Sequence, residues 1–76
     1  MSKKIDYKKL DELCRQNIED YDEKVSLAWG YMDRYRCPLE HAFPILYDEI
    51  ERFLEDYFYG EDIEIEEIDI EQIISV

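Results

Sequence analysis

The side chains able to do covalent or metal chemistry are few, and their spacing does not favour it. His41 is the only histidine, and Cys14 and Cys37 are the only cysteines. A zinc site draws its ligands from pairs of cysteines or histidines about two to four residues apart, and this sequence has no such cysteine pair. Cys37 and His41 stand four residues apart, a spacing at which an imidazole can activate a thiol. Nucleophilic catalysis also needs an orienting group and an oxyanion site, and nothing in the sequence suggests either. The expectation is that Cys37 marks a helix boundary and that His41 lies in a partly exposed first turn. Carboxylates are abundant, but acid–base work needs two of them in sheltered and different environments, and an exposed run supplies the reverse. Glu61, Asp62, Glu64, Glu66 and Glu67 have neither the spacing nor the central glycine of a calcium loop, so they predict only nonspecific cation attraction. With Gly30 and Gly60 as the only glycines, there is no phosphate-cradling loop either. The sequence therefore predicts a noncatalytic protein with no metal and no cofactor.

The carboxylates are more informative as charge than as catalysts. Aspartate and glutamate number 21 against 9 lysines and arginines, a formal charge of −12. Residues 1–36 are balanced: Lys3, Lys4, Lys8, Lys9, Arg15, Lys24, Arg34 and Arg36 oppose eight carboxylates. Residues 37–76 carry Arg52 as their one cation and hold the whole excess. Asp48, Glu51 and Glu55 recur at steps of three and four, which aligns them on one side of a helix and makes each like-charged pair mildly unfavourable. Arg52 is placed to relieve Asp48 four residues before it and Asp56 four after. Tyr47 and Tyr59 fall nearer this acidic side, whereas Tyr21, Tyr31 and Tyr57 have the helical phase of core-edge rings.

The elements that carry these groups follow from hydrophobic spacing. Ile5, Leu10, Leu13, Cys14, Ile18 and Tyr21 keep to one side of a helix over about 4–19, with Asp11, Glu12 and Arg15 opposite. Asp20 with Glu23 has capping-box spacing, so a second helix should run over about 21–36, with Val25, Ala28, Trp29 and Met32 inward and Leu27, Tyr31 and Tyr35 widening the face. Gly30 weakens that helix and is expected to mark close packing of another element. Pro38 is suited to open the next helix and Pro44 to interrupt it, giving one turn over 38–42 and then the main run to about 59, with Leu46, Ile50 and Leu54 in its stripe and Gly60 closing it. Ile63, Ile65, Ile68 and Ile70 alternate with acids, with a phase slip at Glu66–Glu67. This predicts an extended or strand segment over about 62–68 with a bulge, then a short helix over 70–75 capped at Asp69.

The predicted fold class is mainly α: a small three-helix bundle in one domain over 1–76, with a C-terminal arm from about 61. With 46% apolar and 14% aromatic residues, the chain has the material for a core that a disordered acidic tail lacks. No apolar run approaches the roughly 20 residues needed to span a bilayer, and none follows Met1-Ser2-Lys3-Lys4 as a signal peptide requires. A cytoplasmic protein with reduced cysteines is expected, since Cys14 and Cys37 sit at different heights on their helices.

A chain this acidic is a poor ligand for nucleic acid or an anionic membrane, because the long-range field repels both. It suits a basic protein surface. The composition is similar to that of small acidic inhibitors of nucleases and other DNA-binding enzymes, often encoded by phages or mobile elements, though no motif is shared. That similarity implies a DNA-mimic inhibitor. The partner-binding face expected on the charge pattern comprises Asp48, Glu51, Glu55, Tyr59, Glu61, Asp62, Glu64, Glu66 and Glu67. The isoleucine-rich arm is a further candidate, as a strand added to a partner's sheet edge. The competing expectation is a structural or accessory helical module, as a homodimer, whose acidity serves solubility.

Overall fold

The first helix, α1 (Tyr7–Asn17), begins where the Asp6 carboxylate accepts a hydrogen bond from the Lys9 amide at 3.2 Å and ends where Ile18 turns extended. The computed structural model describes residues 5–61 and 63–75, so the segment Met1 to Lys4 and the candidate Asp62 lie outside the described residues; Ile5 and Asp6 are not helical, so the helix is shorter at both ends than the expected 4–19. Leu10, Cys14, Ile18 and Tyr21 are buried as the spacing predicts, and Ile5 and Leu13 are half-buried. Asp11 departs from the expected polar side and is only 6% exposed.

Helix α2 (Tyr21–Tyr35) starts at the expected residue by a different device. Asp20 adopts a left-handed conformation, φ 55°, and its side chain makes no capping bond. The capping box requires an extended N-cap, which this conformation rules out. Arg36, also left-handed at φ 51°, ends the helix. Ala28 and Met32 are buried and Val25 is half-buried. Trp29, expected inward, is 42% exposed, and its indole Nε1 donates to the Ile74 carbonyl at 3.2 Å. Leu27 and Tyr35 are exposed. The close neighbour expected at Gly30 is missing: among the described residues, nothing beyond its chain neighbours and the nearby backbone of its own helix lies within 4 Å of where a Cβ would stand.

The proline positions divide the next stretch as predicted. Pro38 is the N-cap, one position earlier than expected, of a single turn, α3 (Leu39–Ala42). Phe43 then breaks the path at φ −145°, ψ 71°, and Pro44 opens α4 (Pro44–Tyr57). Proline is tolerated there because a first-turn amide has no intrahelical partner. Leu46, Ile50 and Leu54 are fully buried, each contributing about 1.5–3 kcal/mol by removal from water. The helix stops two residues before the predicted end, and Gly60, at φ 82°, lies in the turn beyond it.

The C-terminal segment is where the strand expectation fails. Glu64 is extended, but Ile65–Glu67 forms a 3-10 turn, and Asp69 caps α5 (Ile70–Ile74) by accepting from the Glu71 amide at 3.1 Å. There is no strand among the described residues. A strand needs a partner for its backbone groups, and the rest of the chain is helical. The phase slip at Glu66–Glu67 is the 3-10 turn rather than a bulge. Nor is this segment a free arm: Ile68, Ile70, Ile73 and Ile74 are buried, and the Asp69 amide donates to the Tyr7 hydroxyl at 3.2 Å.

The chain is thus mainly helical, with five α-helices among the described residues. The three long helices α1, α2 and α4 each touch the other two, α3 packs on α2 and α4, α5 lies on α1 and α4, and the 3-10 turn lies on α4. No helix of the described residues is long and apolar enough to cross a membrane.

Candidate functional site

Both cysteines are free. Burial first, and the nearby Asp11 carboxylate second, push the Cys14 thiol up to about 12, so this sulfur stays protonated and unreactive at neutral pH. Cys37 is half-buried and His41 exposed. No group of three or more histidine, cysteine, aspartate or glutamate side chains suited to a metal ion occurs among the described residues. Among the described residues, surface depressions include one formed by Arg15, Ile18 and Tyr21 at the α1–α2 corner and one formed by Leu10, Tyr57, Phe58 and Ile63 between the start of α1 and the end of α4. Neither is lined by histidine or cysteine.

The α1–α2 corner explains why Asp11 is buried. Tyr21, at the first position of α2, donates its hydroxyl to Asp11 Oδ1 at 3.1 Å. Arg15, one turn along α1, reaches Asp11 Oδ2 at 3.1 Å and Asp22 Oδ1 at 2.9 Å, with its guanidinium 5.9 Å from the Tyr21 ring centre. A buried carboxylate is tolerated only when paired and hydrogen-bonded, and here it is both. Burial, followed by the Cys14 and Asp11 charges and the bond to Asp11, raises the Tyr21 phenol well above its ordinary value. The corner is self-contained. The sequence signal was present in the i, i+4 pair Asp11 and Arg15, but Tyr21 lies ten residues from the carboxylate it meets.

A second group of carboxylates acts on Tyr47 of α4 through its electrostatics. This ring is half-buried. Desolvation pushes its phenol up, and the carboxylates of Glu51, Glu40, Asp48 and Asp69 add to that in decreasing order. Those four groups come from α3, α4 and the cap of α5, so the fold gathers anions that are up to 29 residues apart in sequence. Asp48 and Glu51 belonged to the predicted face. Glu40 and Asp69 did not, because only tertiary packing brings them in.

The remaining predicted residues are distributed as follows. Glu55 is exposed on α4, one turn beyond Glu51. Glu64, Glu66 and Glu67 are exposed at the 3-10 turn, which packs on α4. Tyr59 is 90% exposed and Glu61 is exposed, both in the turn after α4. Thus α4 and the 3-10 turn present adjoining acidic surfaces, while nothing ties Tyr59 to the Tyr47 cluster.

The basic residues of the front half meet this region at one point among the described residues, where Lys24 Nζ on α2 contacts Glu49 Oε1 at 3.0 Å. The relief expected from Arg52 is not formed: no ion pair joins it to Asp48 or Asp56, and it projects into solvent. Asp48, Glu51, Glu55, Glu64, Glu66 and Glu67 have no ion pair among the described residues. Comparison of the chain with protein-family models, curated proteins and solved structures finds no match.

Proposed function

We propose that this is a noncatalytic acidic binding protein that docks the α4 and 3-10 face on the basic surface of a nucleic-acid-binding protein and thereby inhibits it as an imitation of phosphate charge. In this reading α1, α2 and α4 act as a three-helix frame, and the face they carry comprises Asp48, Glu51, Glu55, Glu64, Glu66 and Glu67, joined by Glu40 and Asp69. The observation that carries the proposal is the unanswered charge of this face: Asp48, Glu55, Glu64, Glu66 and Glu67 are exposed on α4 and on the 3-10 turn packed against it, with no ion pair to a lysine or arginine among the described residues. Keeping like charges together is unfavourable unless solvent or a cationic partner answers them. Arginine-rich grooves supply such cations and also accept an aromatic ring.

The test is capture of partners from the source cell on the immobilised full chain at low salt, followed by elution with duplex DNA and with salt. The expected partner is a basic protein released by both, with affinity falling at least about tenfold between 0.05 and 0.5 M salt as exposed charges are screened. The variant Asp48→Asn/Glu51→Gln/Glu55→Gln should lose that partner while keeping its helical circular dichroism. Affinity independent of salt, or a variant that binds as well as the parent, overturns the proposal.

A further inference from the structure

Helix α2 carries a face that the fold leaves uncovered. Gly30 stands in mid-helix, where glycine is among the poorest residues for helix formation, and open space surrounds the position of its missing Cβ. Leu27, three residues earlier, is 45% exposed. Glu23 and Arg34 are exposed and form no ion pair among the described residues; the Arg34 guanidinium lies 5.8 Å from the centre of the Tyr35 ring. Steps of three and four place Glu23, Leu27, Gly30 and Arg34 on one side of the helix, away from the side that buries Tyr21, Ala28 and Met32.

This face is complementary to itself. Turned end for end about a point between Ala28 and Trp29, Glu23 falls on Arg34 and Leu27 falls on Gly30. We propose that a second copy of the chain docks here, with the two α2 helices antiparallel across a two-fold axis. Leu27 of each copy seats over Gly30 of the other, where the absent side chain lets the helices approach closely. Glu23 of each copy pairs with Arg34 of the other, and the antiparallel arrangement sets an anion in the first turn of one helix beside a cation in the last turn of its mate, both favoured by the helix dipoles. The charge layout is compatible with this surface. Residues 1–36 are balanced and residues 37–76 carry the net −12, so two copies meet with less repulsion through the front half, to which α2 belongs, than through the back half. The contact uses none of the residues assigned to the acidic face and stands independently of that reading. One helix pair makes a small interface, so the dimer is weak.

The experiment is sedimentation of the intact protein at about 0.15 M salt, from about 10 μM to about 1 mM. A monomer passing to a dimer over that range is expected. Gly30→Gln should weaken dimerisation at least about tenfold by filling the notch, yet raise the melting temperature of the dilute monomer by about 3–5 °C, because the new side chain enters open space on a better helix former. A glycine kept only for the fold of the monomer would not separate those two readings. Glu23→Arg and Arg34→Glu should each weaken association, and the two combined should restore it. A monomer at every concentration, a Gly30→Gln dimer as tight as the parent, or single charge reversals that the double variant fails to rescue would each overturn the proposal.

Discussion

Tyr21 and Tyr47 both sit among carboxylates, yet the two places are built in opposite ways. At the α1–α2 corner the Tyr21 hydroxyl and the Arg15 guanidinium both bond Asp11, and the carboxylate enters the core at 6% exposure. The four carboxylates that help raise the Tyr47 phenol have no ion-paired cation among the described residues, and Asp48, Glu40 and Asp69 stay exposed. A guanidinium alone does not decide the fate of an aspartate, since Asp22 also bonds Arg15 and stays exposed; Asp11 enters the core because the Tyr21 hydroxyl answers it as well.

This contrast is open to attack by substitution. The largest effect is expected at the corner, where Asp11→Ala removes the acceptor of a buried hydroxyl and should lower stability by about 2–3 kcal/mol in denaturant titration. A change below about 0.5 kcal/mol would mean that the corner network is ornamental. Alkaline titration probes the same region through its raised groups. Cys14 keeps its proton up to about 12 in the folded chain against an ordinary value of 9.0, and Tyr21 is raised also. The folded state therefore binds more protons than the unfolded state above pH 9, and stability, full below that pH, should fall by up to about 1.4 kcal/mol per pH unit from Cys14 alone between 9 and 12. A flat profile through that window removes the burial argument for the thiol. The smallest effect, and the one of opposite sign, belongs to the Tyr47 side. Asp48→Asn/Glu51→Gln/Glu55→Gln should leave stability unchanged or raise it by a few tenths of a kcal/mol per relieved pair. Marked destabilisation would show those carboxylates to be structural after all.

What the sequence disclosed was mostly what neighbouring residues decide. Asp69 caps as short-range rules require, Pro44 splits α3 from α4, and the stripe Leu46, Ile50, Leu54 is the core side of α4; the cap at Asp6 was not anticipated. Three features were hidden because their causes lie far along the chain. Asp11 looked polar-facing until Tyr21 and Arg15 closed over it. The isoleucine alternation looked like a strand, and whether it pairs or coils depends on an edge that this helical chain does not offer. Glu40 and Asp69 joined Asp48 and Glu51 only when α3 and α5 folded onto α4. Asp20 and Gly30 are different cases: the first occupies the right position in the wrong backbone conformation, and the second weakens a helix with no internal reason.

The bond from the Trp29 indole to the Ile74 carbonyl crosses 45 positions of sequence and links α2 to the last turn of the chain. Trp29 is the only tryptophan, so all indole emission originates at the seam where the C-terminal helix settles. The molecule is intrinsically labelled at that contact: undocking of α5 should change the colour of the light without any other helix having to melt, and an added dye is unnecessary.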